Sequence, residues 1–182
     1  TTYINKEEAP ALIMDFIGGE PFLEVKLIDD IMTYFLQEAI RRKHRWATHY
    51  YINVSTNGTL CMTPEVQAFI RKWKQRLSVA ITLDGDKEIH DKCRKFPNGD
   101  GSFDLVLESF LDLSKKYWYN GTKITISPDN LPYLKNAILF MFEDLKLNYV
   151  HANCVFEEGW EKKHATELYY ILKEIADWLL ED

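Results

Sequence analysis

Gly18-Gly19-Glu20-Pro21 follows the apolar run at 11–17 and places two glycines, a carboxylate and a proline in four consecutive positions. Glycines let the backbone turn sharply and approach a ligand, because no Cβ intervenes. The carboxylate suits an ammonium group or a structural hydrogen bond, and Pro21 fixes the exit from the turn. Ser55-Thr56-Asn57-Gly58-Thr59 ends the next β-rich run with hydroxyls and an amide, donors and acceptors that suit a ribose or a carboxylate. Its plainer reading is a turn in which Asn-Gly supplies positive φ. Thr82-Leu83-Asp84-Gly85 ends a third run, followed by His90-Asp91-Lys92-Cys93-Arg94 and Gly101-Ser102-Phe103-Asp104. His90-Asp91 has the composition of a general base with its orienter. The plainer reading is a loop brace with Asp91 and Arg94 at helical i, i+3 spacing. Cys93 reads as a packed thiol, and no residue is assigned a catalytic role.

These turns need a frame, and the hydrophobic period alternates between short apolar runs and 3.6-residue stripes. Ala11–Ile17 reads as a buried strand, and 25–42 as a helix with Leu27, Ile28, Ile31, Phe35 and Ala39 on its inner face. His49–Val54 is the second strand, and Thr63-Pro64 starts a helix with Thr as N-cap and Pro in the first turn. Val66, Phe69, Ile70 and Trp73 form its inner stripe. Ser78–Leu83 is the third strand. Ser102 is placed to cap a helix bearing Phe103, Val106, Leu107, Phe110 and Leu113. Thr122–Ser127 is the fourth strand, and Asp129 or Asn130 opens a helix with Leu134, Ile138, Met141 or Phe142, and Leu145. Asn148–Val155 is the fifth strand, and 161–180 the last helix with Leu168, Leu172, Ile175 and Leu179. Strand–helix alternation predicts right-handed parallel crossovers, in an open sheet or part of a barrel. In either, ligands meet the C-terminal ends of strands.

GGEP, STNGT and the block from Thr82 to Asp104, in this order, resemble the S-adenosylmethionine (SAM) edge of radical SAM enzymes, especially the SPASM-type peptide- and sulfatase-maturing branch. The third block is similar to that family's SxDGxxxxHDxxR…GSFD, with Thr82 where serine is usual. The resemblance runs from Ala11 to about Trp160. It implies an α/β fold: a partial TIM-like barrel of five parallel β-α units, corresponding to units 2–6 of a (β/α)6 core. Residues 1–182 would be a single partial domain excised from a longer chain. It also implies SAM contact at Gly18, Gly19, Glu20, Pro21, Ser55, Thr56, Asn57, Thr82, Asp84 and Arg94, and an apolar adenine wall at Val155-Phe156. In that family a CxxxCxxC loop holds a 4Fe–4S cluster whose bound SAM yields a 5′-deoxyadenosyl radical for peptide or protein modification. No CxxxCxxC occurs here, and Cys61, Cys93 and Cys154 cannot recreate its spacing. The expectation is therefore a longer parent that is a maturase acting on a peptide or protein. This chain alone should be catalytically silent and at best a weak SAM binder. The alternative is a degenerate, non-catalytic scaffold or peptide-binding domain.

Bulk composition narrows the remaining choices. A formal net charge of −6 without a Lys/Arg stripe argues against nucleic acid, and Arg41-Arg42-Lys43-His44-Arg45 reads as a basic helix end. No apolar run is long enough to span a bilayer, and no signal peptide is evident. Three widely spaced cysteines indicate neither a disulfide framework nor a self-contained metal site, so the expected location is the reducing cytoplasm. The Asn-X-Ser/Thr triplets at 53, 57 and 120 are then chance matches. An unpaired sheet edge would give the chain a route to a homodimer. A GxGxxG or Walker loop is absent, which disfavours an ordinary nucleotide-binding domain.

Overall fold

A computed structural model of the protein describes residues 9–117, 121–156 and 159–181, so Asn120 lies outside the described part. The chain forms two compact units, 1–80 and 81–182.

In the first unit, β1 (Leu12–Phe16) pairs in parallel with β2 (Tyr50–Thr56), with Leu12 opposite Tyr50 and Phe16 opposite Val54. β3 (Leu77–Ile81) flanks β2 on its other side. The expectation of a buried first strand is corrected: β1 is half-exposed, with Ile13 60% and Ile17 65% accessible. It is an edge strand among the described elements, so only its β2 side is covered. Between these strands runs α1 (Val25–Arg41), which buries Ile28, Met32, Phe35 and Ala39. That i, i+4, i+7, i+11 stripe displaces Leu27 and Ile31 from the predicted inner face to an exposed flank beside Tyr34. Arg41 and Arg42 both pair with Glu38 at the helix end, in keeping with the basic-end reading.

α2 (Pro64–Trp73) starts on Pro64 as expected and buries Val66, Phe69, Ile70 and Trp73. Thr63 is the N-cap residue, but its hydroxyl donates to the Leu60 carbonyl (2.8 Å) and makes no side-chain cap. Asp29 ties α1 to α2 by accepting from the Trp73 indole and the Lys72 ammonium.

In the second unit, β4 (Gly121–Ile126) and β5 (Tyr149–Cys154) pair in parallel, with Gly121 opposite Tyr149 and Ile126 opposite Cys154. Thr82 makes a parallel bridge to Lys123, and the Thr122 hydroxyl donates to the Ile81 carbonyl. The surrounding helices are α3 (Lys87–Cys93), α4 (Phe103–Tyr117), α5 (Leu134–Leu139) and α6 (Lys162–Glu181). α5 runs on into a wide π-helical turn, Phe140–Asp144, which buries Met141 and leaves Phe142 against Trp178. On α6 only Ile175 is buried, whereas the predicted inner residues Leu172 and Leu179 are about half exposed. Ser102 does not cap α4 with its side chain. Asp91 does so from α3, accepting from the Phe103 amide at 2.9 Å, because the Ser102 hydroxyl is engaged elsewhere.

Candidate functional site

Each unit gathers polar groups at the C-terminal end of its strands. In the first, Gly18 (φ +87°) and Gly19 (φ +53°) take consecutive left-handed conformations that side chains resist. Among the described residues, apart from their chain neighbours, no atom lies within 4 Å of where their Cβ atoms would stand, and both glycines are exposed. Glu20 then turns its carboxylate back onto the protein. Oε1 accepts from the Thr56 hydroxyl (2.7 Å) and the Phe22 amide (3.1 Å), and Oε2 from the Asn57 amide (2.8 Å). One carboxylate therefore staples the loop after β1 to the end of β2. A carboxylate offers about four acceptor positions, and these bonds use three of them.

Thr56, 2% exposed, also accepts from the Gly58 amide. The Asn57 amide oxygen accepts from the Thr59 amide and hydroxyl, an Asx turn completed by Gly58 at φ +82°. Pro21 opens a short 3-10 turn, Pro21–Glu24, with Glu20 as its N-cap. Ser55 is half-buried on β2. Beneath lies Cys61, whose thiol is pushed up to about 12 by burial, with the nearby Glu20 charge adding to the effect.

The second unit centres on Asp84, 2% exposed. Its Oδ2 accepts from Arg94 Nε in a short ion pair, and its Oδ1 from the Thr125 amide at 2.8 Å. Arg94 Nη2 also donates to the Thr125 hydroxyl (3.2 Å). The i, i+3 pairing of Arg94 with Asp91 is thus corrected: Arg94 joins Asp84, and Asp91 is committed to the α4 amide. Thr125 was not visible as a site residue, since nothing in TKITIS marks one threonine over another. Thr82 is 8% exposed on the strand extension beside β4.

His90 is fully buried, with Nδ1 accepting from the Asp84 amide (3.2 Å) and Nε2 against the Ser102 hydroxyl (3.0 Å). Burial lowers its pKa below the ordinary imidazole value. With both nitrogens occupied it braces the loop and has no route to act as a general base. The packed-thiol reading of Cys93 is corrected: the residue is exposed, its sulfur only partly desolvated and weakly engaged by Asn130 (3.8 Å).

Beyond β4 and β5 a cleft of about 520 Å³ is lined by Ser127, Pro128, Asp129, Val155, Glu161 and His164. Val155 thus lines a cavity, while Phe156 is fully exposed. Asn130 and Ser127 exchange hydrogen bonds in the turn before the short 3-10 helix Leu131–Tyr133, for which Asn130 is the N-cap residue but makes no side-chain cap bond.

Among the described residues, no group of three or more His, Cys, Asp or Glu could hold a metal ion, and all three cysteines are free. One thiol is buried and two are exposed, so the residues present do not fit an iron–sulfur cluster.

No family model matches the chain. It is 27% identical over 151 residues to the serine-type anaerobic sulfatase-maturating enzyme of Bacteroides thetaiotaomicron, covering 81% of this chain and 34% of that one. The cysteine-type enzyme of Clostridium perfringens is 26% identical over 181 residues, covering 92% and 45%. Its Clostridium novyi counterpart is 32% identical over 109 residues, covering 58% and 26%. These three relatives are anaerobic sulfatase-maturating enzymes. The chain spans less than half the length of each of them. Among solved structures, native anSMEcpe with bound AdoMet and Kp18Cys peptide superimposes with TM-score 0.73 at 24% identity, covering 96% of this chain and 48% of that one. Native anSMEcpe with bound AdoMet alone gives 0.72 at 25% identity over the same shares. The α/β fold with parallel strands is thereby shared with these neighbours.

Proposed function

We propose that residues 1–182 are the SAM-contacting part of a radical SAM maturase that modifies a peptide or protein, and that residues outside this chain supply the iron–sulfur cluster. The strands would form a partial barrel of five β-α units in one core. The observation that carries the reading is the Glu20 staple. It holds two exposed, positive-φ glycines and the Thr56–Asn57 strand end together, and leaves one carboxylate acceptor position for an ammonium group.

The groups present fit SAM by their chemistry. Gly18, Gly19, Glu20 and Pro21, with Ser55, Thr56 and Asn57, offer backbone, carboxylate and hydroxyls to the methionyl ammonium and the ribose. Thr82 and Arg94 offer a hydroxyl and a guanidinium to a carboxylate, and Asp84 shapes that edge by holding Arg94. Arg94 carries five N–H donors, and its bonds to Asp84 and Thr125 occupy only two of its three nitrogens. The cleft beside Val155 would take the adenine. SAM, when bound, supplies the sulfonium whose cleavage is the family's chemistry, and this chain's residues orient it. No helix among the described residues is long and apolar enough to cross a membrane. Free thiols and an oxygen-sensitive cofactor fit a reducing cytoplasm, and the edge of β1 that no described strand pairs offers a route to a homodimer.

Two measurements test the reading. The chain should bind SAM weakly in equilibrium dialysis without consuming it. The longer polypeptide, reconstituted anaerobically with iron and sulfide, should release 5′-deoxyadenosine under strong reductant. No product from the loaded polypeptide refutes the maturase reading. It would favour the non-catalytic scaffold, for which the Glu20 and His90 hydrogen-bond networks within the protein suffice without ligand.

A further inference from the structure

We infer that His90 is a positioning residue for the Asp84–Arg94 ion pair, acting as the middle link of a one-way hydrogen-bond chain that starts on the Asp84 backbone and ends on the Arg94 backbone. The direction follows from donor chemistry. The Asp84 amide can only donate, so Nδ1 of His90 is its acceptor at 3.2 Å. In a neutral imidazole the proton then sits on Nε2, which donates to the Ser102 hydroxyl at 3.0 Å. Ser102 passes its own proton to the Arg94 carbonyl at 3.2 Å. The Arg94 amide returns to the His90 carbonyl at 2.8 Å and closes the circuit.

Both members of the ion pair are therefore held by their main chains through one imidazole, while Asp84 spans Arg94 and Thr125 with its side chain. The charged groups bearing on the ring are Asp84 from the loop after β3, Asp91 from α3 and Arg94 just beyond it, and α4 contributes the Phe103 ring at 5.8 Å. Protonating Nδ1 would set N–H against N–H and open the circuit at Asp84. The consequence for SAM rests on the site reading above, whereas the hydrogen-bond direction does not.

The test pairs two amides on the full chain. Asparagine places its oxygen near the position of Nδ1, and glutamine places its NH2 near that of Nε2. Long-range 1H–15N spectra of histidine-labelled protein near neutral pH should report the Nε2–H tautomer for His90, and an Nδ1–H tautomer overturns the proposal. The exchange-protected Nε–H resonance of Arg94 should survive in His90→Asn and vanish in His90→Gln. SAM affinity should fall about tenfold in His90→Gln and stay within about threefold in His90→Asn, the loss of one buried hydrogen bond. If SAM binds and His90→Gln keeps both the resonance and the affinity, His90 positions nothing. If the wild-type chain binds no SAM but the spectra behave as stated, the site reading fails and the positioning role stands. Should His90→Gln not fold, Ser102→Ala decides: the Asp84 amide still fixes the Nε2–H tautomer, while the Arg94 Nε–H resonance should lose its exchange protection, and an unchanged Arg94 resonance overturns the positioning role.

Discussion

Glu20→Gln probes the staple on which the first unit's strand ends depend. The carboxylate accepts from three protein donors, two of them the backbone amides of Phe22 and Asn57. An amide offers one oxygen and one NH2, so either orientation turns the NH2 toward a donor. The Thr56 hydroxyl can rotate away, but a backbone N–H cannot. One amide is left unpaired at about 1–3 kcal/mol, and the surviving bonds lose charge assistance worth about 1 kcal/mol more. Urea denaturation followed by tryptophan fluorescence should therefore show a loss of about 2–4 kcal/mol. Thr56→Val removes one donor to the carboxylate and the acceptor of the Gly58 amide, for about 1–3 kcal/mol. The double mutant should lose less than the sum, because the two residues share a bond. Glu20→Gln within about 0.5 kcal/mol of wild type would refute the staple. The same substitution should weaken SAM binding by about 1–3 kcal/mol, roughly 5- to 160-fold. Lost stability with unchanged affinity would leave Glu20 a purely architectural residue.

Three further outcomes are expected. Gly101→Ala would put a Cβ 2.0 Å from the Asp91 carboxyl carbon, expelling Asp91 from the α4 amide. It should cost about 1–2 kcal/mol, the value of a helix cap, in the same urea assay; no change would mean that Asp91 caps nothing. In a thiol titration of native protein at mildly alkaline pH, Cys154 should react readily and Cys93, its pKa raised by burial, more slowly. Cys61 should react only on unfolding, and three fast native thiols would contradict the burial of Cys61. Because the folded pKa of His90 is lowered, the unfolded chain binds the proton more readily. Its contribution to stability is fully present above the ordinary value of about 6.5 and is lost as pH falls through the folded pKa. Denaturation midpoints should therefore drop on acidification below that value, and His90→Asn should flatten the drop.

Much of the frame was legible because it rests on local rules. The 3.6-residue stripe of Val66, Phe69, Ile70 and Trp73 lies inside as read, and Pro64 starts its helix where its fixed φ is favourable. The misread elements are those whose environment is set by distant neighbours. β1 has strand periodicity, yet Ile13 and Ile17 stay accessible, and among the described elements β1 pairs only with β2. On α1, Met32 displaced Leu27 and Ile31, since a wide apolar arc does not say which part meets the sheet. Ser102 had the right type and place for a cap, yet its hydroxyl completes the His90 circuit and Asp91 caps instead.

By itself the sequence determined the order of the strand-end turns and their local chemistry: left-handed glycines at 18, 19 and 58, the Asx turn at Asn57, and the proline exits. Those properties depend on residues within a few positions of each other. Only the tertiary structure decided the partners. Glu20 finds Thr56 and Asn57 36 and 37 residues away, and Asp84 finds Thr125 41 residues away. The direction of the protons around His90 is set within residues 84–102, by side chains 6 to 12 residues from their partners that the fold brings into contact. A buried polar group must be satisfied by whatever donor or acceptor the fold brings to it, and no spacing in a linear chain specifies which one that will be.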